Sequence, residues 1–202
     1  MELVLASTSP RRKELLALIT QLMPEKTFDC VSPDIDESQL ENETAAIYIK
    51  RLALQKAKVG AVLFGDEHAV VLGSDTIVVV DNDILGKPTD YQDARNMLTR
   101  LSGRKHKVMT AVALVYRNGS EVVMVETQVE FCELNANDID AYIESGEPMD
   151  KAGSYGIQGI AGAFVKNIIG SYSAVVGLPM TETRQLLLNA QVLLNAQNMN
   201  SK

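Results

Sequence analysis

Apolar and polar positions along this chain sort into short strand-like runs and helical stripes, with polar turns between them. Leu3, Val4, Leu5 and Ala6 form a short continuous apolar run that predicts a buried strand. Residues 14–19 predict an amphipathic helix, with Ser9 as its N-cap and Pro10 as its first helical residue. A second strand is predicted over 28–31, followed by an acidic loop over 32–38. Between 43 and 59, Ala45, Ile49, Leu52, Ala53 and Ala57 recur at helical spacing, and Lys56 falls on the same stripe. Residues 70–80 read as a strand with Gly73, Ser74, Asp75 and Thr76 in its middle. The chain turns at 81–83 and returns through 84–86 to Lys87 and Pro88.

In the second half, Thr89 with Gln92 predicts a capping box for a helix over 90–101, and Gly103 is its natural stop. Two long strands are predicted over 105–117 and 121–132, joined by a hairpin turn at Asn118 and Gly119. Asn135 opens a further helix that ends at Gly146. Gly153, Gly156, Gly159 and Gly162 place four of the chain's 13 glycines in one stretch, where the backbone must turn tightly or approach something closely. Strand-like segments follow over 163–169 and 172–176. Pro179 starts the last helix, and 195–202 reads as a frayed tail. With no repeat, linker or low-complexity stretch, residues 1–202 are expected to form one α/β domain, arranged as two lobes that share a continuous sheet.

Composition narrows the class. The chain has 202 residues, 46% hydrophobic and 22% charged, as befits a folded domain. No apolar run reaches the length of a membrane span. The first cations follow a very short apolar stretch, the reverse of a signal peptide, so a cytoplasmic protein is expected. Cys30 and Cys132 lack metal-site spacing and are expected to be small buried hydrophobes. A net charge of −7 argues against a polyanion-binding surface, so no nucleic acid polymer and no membrane is expected as a partner. His68 and His106 stand among polar neighbours and read as surface residues.

The chemistry starts at the first helix. Arg11, Arg12 and Lys13 crowd an N-terminus that already carries partial positive charge, which is the electrostatically wrong end for them. An anion repairs that conflict, because free N–H groups and guanidinium forks together suit a phosphate or triphosphate. Lys56 on an apolar stripe either snorkels to the edge or points into a cavity holding an anion. Asp75, inside a strand, is either satisfied by backbone N–H groups or is a working carboxylate. Asp34, Asp36, Glu37 and Asp150 complete the acidic candidates, and Lys87 and Lys151 the basic ones. Oxygen ligands without His or Cys favour Mg2+ or Mn2+ bridged to substrate phosphates. The set as a whole supports metal-assisted attack of water on a phosphoanhydride.

Ser7-Thr8-Ser9-Pro10-Arg11-Arg12-Lys13-Glu14-Leu15-Leu16, Asp36-Glu37, Lys56-Ala57, Gly73-Ser74-Asp75-Thr76, Leu85-Gly86-Lys87-Pro88 and Tyr155-Gly156-Ile157-Gln158-Gly159 occur in one order along the chain. Through these motifs the chain resembles the Maf family of nucleoside triphosphate pyrophosphatases over roughly residues 2–190. The resemblance implies a mixed, twisted α/β sheet flanked by helices, with two lobes and a central cleft, related to the inosine triphosphate pyrophosphatases. It implies cleavage between the α and β phosphates with a divalent cation, Mg2+ or Mn2+, and a homodimer. Asp75 matches the water-activating carboxylate; Arg11, Arg12, Lys56 and Lys87 match phosphate-binding cations; Ser9 matches a phosphate-contacting hydroxyl. Glu37 matches a further acidic residue, with metal or water binding both open, so Glu37 and Asp75 are the expected metal residues.

Thr76 after the Asp, and Gln158 in the late loop, resemble the branch acting on dTTP and UTP rather than the 7-methyl-GTP branch. With Arg11 they are the expected specificity positions, since an amide both donates and accepts towards a base edge. Thr8, where relatives often have Gly, departs mildly from the pattern and narrows the expected phosphate pocket. The alternatives are a 7-methyl-GTP-specific pyrophosphatase and a nucleotide-sensing regulator of cell division.

Overall fold

The computed structural model of the chain describes residues 2–24, 26–117 and 119–200. Its elements run β1 (Leu3–Ala6), α1 (Pro10–Thr20), β2 (Asp29–Val31), α2 (Ala45–Phe64), β3 (Val70–Val80), β4 (Asp83–Leu85) and α3 (Tyr91–Leu101). Then come β5 (Lys105–Tyr116), β6 (Gly119–Phe131), α4 (Ala136–Glu144), three 3-10 turns (Glu147–Asp150, Ala152–Ser154, Ile160–Phe164), β7 (Val165–Ile169), α5 (Tyr172–Val176) and α6 (Met180–Asn200). The sheet is seven-stranded and mixed, in the order β2-β1-β3-β5-β6-β7 with β4 also paired to β3. β1 lies parallel to both β2 and β3, whereas the β3–β4 and β6–β7 pairs are antiparallel. Among the described residues no helix is long and apolar enough to cross a membrane.

The chain divides into two compact units, the first of residues 1–75, 111–124 and 177–202, the second of 76–110 and 125–176. In the first, β1 is buried at all four positions, as a parallel strand covered on both faces should be. α2 lays Ile49, Leu52, Ala53 and Ala57 against that core as its spacing predicts. It runs past residue 59 to a C-cap at Gly65, because Gly60 faces the core rather than ending the helix. In the second unit, one core joins Val78, Val80, Leu98, Val129, Phe131, Ile139, Tyr142, Tyr155 and Phe164.

Several expectations are corrected. α3 is capped by Asp90, not Thr89: the Asp90 side chain accepts from the Asp93 N–H, and the Thr89 N–H donates to Asp93 Oδ2 at 3.0 Å. Residues 172–176 are helical, not a strand. Ser171 Oγ accepts from the Ala174 N–H, and this local cap outweighs the β-branched pair Val175 and Val176. Asn118, half of the expected hairpin turn, lies outside the described residues, and β6 resumes at Gly119. α6 is helical through residue 200, and residues 201 and 202 lie outside the described residues. Cys30 is exposed and Cys132 half-buried, so neither is a core residue; both are free.

Candidate active site

The first helix begins as its sequence dictates. Ser9 is extended and accepts from the Arg12 N–H, with Pro10 next in the first turn. The Arg12 side chain then folds away from the helix end. Its Nε donates to the Gly177 carbonyl at 3.0 Å, its Nη1 to Ser7 Oγ at 3.4 Å, and its Nη2 lies 3.6 Å from Asp75 Oδ1. Buried Ser74 donates to the same Gly177 carbonyl at 3.1 Å. Burial pulls the guanidinium's pKa down and Asp75 opposes the shift, so the charge is held where desolvation alone would disfavour it. Arg11 is half-buried beside it, and Lys13 points to solvent.

Lys56 does not snorkel. The residue is 8% exposed, and its Nζ stands 2.8 Å from Asp75 Oδ1 and 2.7 Å from Glu37 Oε1. Gly73 makes this meeting possible. A Cβ there would fall 2.4 Å from the Ala53 carbonyl oxygen and 2.5 Å from the Ala57 nitrogen, so only glycine lets β3 approach the backbone of α2 this closely. Lys56 leaves α2 within that contact, and Asp75 follows two residues later on β3. Of the readings open for Asp75 and Lys56, the structure supports the charged constellation: Arg12, Lys56, Glu37 and Asp75 stand together.

Glu37 lies on the irregular loop after β2, which is gripped from α2. Tyr48 Oη donates to the Glu37 carbonyl at 2.6 Å, and Arg51 Nη2 donates to the Ser38 carbonyl at 2.9 Å. Arg51 also forms a bidentate pair with Glu43, both contacts 2.7 Å, and its guanidinium stacks 5.4 Å from the Tyr48 ring centroid. Asp36 faces solvent, and hydrogen bonds from Ser38 hold its carboxyl below the usual range. Sequence reasoning missed Tyr48, Arg51 and Glu43, because a helix residue gripping a distant loop leaves no periodic signal. Asp34 is exposed and apart from these contacts.

The other candidates belong to the second unit. Thr110 Oγ1 lies 3.0 Å from Thr76 Oγ1 and 2.7 Å from the Ala174 carbonyl. Lys87 is exposed just after β4, and the adjacent Gly86 carbonyl accepts from the Gly153 N–H at 2.9 Å, tying this turn to the glycine-rich stretch. Gln158 is exposed within that stretch. Lys151 binds the Glu147 carbonyl and the Asp150 carboxylate, a local structural pair.

His106 is a correction: it is 3% exposed, not at the surface. Lys105 and Lys107 flank it, but alternation along β5 turns both outward and the imidazole inward. Its Nε2 lies 2.8 Å from Tyr155 Oη, and the ring meets Phe131 and Tyr155 edge-on. Burial lowers its pKa to about 4, so it is neutral near pH 7.

Among the described residues, no group of three or more His, Cys, Asp and Glu side chains is placed to hold a metal. Glu37 and Asp75 share the Lys56 ammonium, and their oxygens suit a hard cation. Mg2+ commonly takes one or two carboxylates and completes its shell from phosphates and water, so the pair fits such an ion.

A solved HAM1 protein from Coxiella burnetii has the same fold, with a TM-score of 0.51 at 17% identity over 94% of this chain and 99% of that one. This places the chain among α/β proteins of that architecture. The family model for Maf-like protein matches residues 2–190, and the chain belongs to the Maf family. A Shewanella oneidensis relative named dTTP/UTP pyrophosphatase is 58% identical over 96% of this chain and 100% of its own length. A Vibrio vulnificus relative of the same name is 55% identical, over 92% and 97% respectively.

Proposed function

We propose that this chain is a nucleoside triphosphate pyrophosphatase that hydrolyses dTTP and UTP, with modified pyrimidine triphosphates, between the α and β phosphates. The products are the nucleoside monophosphate and pyrophosphate. The observation that carries this reading is the cluster of Arg12, Lys56, Glu37 and Asp75, in a chain 58% identical to a protein named for that activity.

Asp75 accepts the proton of the attacking water and becomes a neutral carboxylic acid as the hydroxide attacks the phosphorus. Lys56 bridges Asp75 and Glu37 and is poised to exchange one carboxylate for a phosphate oxygen as charge builds on the leaving group. Arg12 is anchored through Nε to a backbone carbonyl, which fixes its fork beside Asp75. Glu37 and Asp75 would hold Mg2+ or Mn2+, and that ion when bound neutralises phosphate charge. By resemblance, Ser9, Arg11 and Lys87 bind phosphate, and Thr76 and Gln158 read the base. The same reading has the enzyme clearing nucleotides in the cytoplasm as a homodimer.

The test is pyrophosphate release with Mg2+ or Mn2+ from dTTP, UTP, CTP, GTP, ATP and 7-methyl-GTP. Release from dTTP and UTP in preference to the rest is the expected result. Preference for 7-methyl-GTP overturns the specificity, and no release from any of them overturns the activity.

A further inference from the structure

The glycine-rich stretch that carries Gln158 is tied down on both sides of that residue, and both ties lead to one carboxylate. On the far side, the Ile160 N–H donates to Glu147 Oε2 at 3.0 Å. On the near side, the Gly156 N–H donates to Tyr142 Oη at 3.2 Å, and Tyr142 Oη in turn donates to Glu147 Oε1 at 3.0 Å. Tyr142 comes from α4 and is 1% exposed, and burial raises its phenol pKa, so it stays a protonated donor. Between the ties, a Cβ at Gly159 would fall 2.2 Å from Glu147 Oε1, so the carboxylate lies directly against the loop backbone. Glu147 is itself fixed: its N–H donates to Ser145 Oγ, and its carbonyl accepts from Lys151 Nζ. The Gln158 side chain is left exposed between the two tied residues Gly156 and Ile160.

We infer that Glu147, acting through Tyr142, is a positioning residue: it clamps residues 156–160 and so sets the base selectivity assigned to Gln158. This rests on the reading of the chain as a pyrimidine triphosphate pyrophosphatase. A carboxylate needed only for stability would satisfy two donors without regard to what the loop presents. A clamp makes a different demand. An amide recognises a base edge only when its donor and acceptor are held in place, and one misaligned hydrogen bond costs about tenfold in affinity.

The experiment compares wild type, Glu147→Ala, Glu147→Gln and Tyr142→Phe. It measures steady-state pyrophosphate release from dTTP, UTP and CTP, dTTP binding by calorimetry, and hydrogen exchange at the Gly156 and Ile160 amides. Glu147→Ala is expected to raise KM for dTTP and UTP about tenfold, leave kcat within about threefold, and erode the preference over CTP. Glu147→Gln should restore most of the loss, because its amide oxygen accepts from Ile160 and its amide nitrogen donates to Tyr142. Tyr142→Phe, which keeps the buried ring, should release the Gly156 tie and one bond to the Glu147 carboxylate while keeping the Ile160 tie, and so give an intermediate shift; it carries the test if Glu147→Ala fails to fold. Unchanged selectivity in every folded variant overturns the clamp, as does an equal rise in KM for all three nucleotides. If wild type releases no pyrophosphate, the function reading falls by itself. Faster exchange and weaker dTTP binding in Glu147→Ala would then still support the clamp, and unchanged exchange would overturn it.

Discussion

Lys56 Nζ lies 2.8 Å from Asp75 Oδ1, joining a cation on an otherwise apolar helical stripe to a carboxylate in the middle of a strand. Each residue alone is costly to bury, and each answers the other's charge. Lys56→Met should therefore leave Glu37 and Asp75 facing each other without their shared ammonium. Pyrophosphate release is expected to fall about a hundredfold or more. Stability should fall by about 2 kcal/mol, less than for a fully buried pair because Arg12 still faces Asp75. Assay and urea unfolding together check this, and a variant with full activity would remove Lys56 from the mechanism.

Arg12 divides its fork among a backbone carbonyl, a hydroxyl and a carboxylate, and no single ammonium can serve all three. Arg12→Lys should keep the positive charge yet lose the anchor to Gly177. The expected outcome is a higher KM for dTTP and a stability loss of about 1 kcal/mol, read from a shifted urea midpoint.

Gly73→Ala tests the contact that brings Lys56 and Asp75 together. The added methyl would strike the backbone of α2 at Ala53 and Ala57, which cannot rotate away. Overpacking against backbone should cost about 3 kcal/mol and depress activity with it. A variant of wild-type stability and activity would mean that α2 is not held against β3 as described.

His106 gives a pH dependence with a definite sign. Its folded pKa is lowered from 6.5 to about 4, so between those values the unfolded chain binds a proton that the folded chain refuses. Stability from this residue is complete above about pH 6.5, falls as pH drops towards about 4, and is level below that; the full change is about 3 kcal/mol. Urea midpoints from pH 7 to pH 4 should drop in wild type, with a visibly shallower drop in His106→Gln.

How much of this was legible in the sequence differs residue by residue. The strand, Ser9 cap and Pro10 start of the first motif are local chemistry, and the structure reproduces them because nothing tertiary opposes them. By their own positions Lys56 and Asp75 read as two misfits and only the family motifs join them, since their meeting depends on Gly73 admitting a close approach between elements distant in sequence. His106 looks like a surface residue in sequence because its sequence neighbours are lysines, whereas its neighbours in space are Phe131 and Tyr155. Residues 172–176 look strand-like in sequence, yet Tyr172–Val176 is helical where Ser171 Oγ accepts from the Ala174 N–H. Glu147 carried no signal, because the partners that define it are backbone N–H groups and a phenol brought together only by folding.

Asp75→Asn tests whether Asp75 takes the proton from the attacking water in dTTP hydrolysis. Pyrophosphate release from dTTP with Mg2+ should fall at least about a hundredfold, while dTTP still binds in a calorimetric titration. Turnover at the wild-type rate in a folded Asp75→Asn protein would contradict the account.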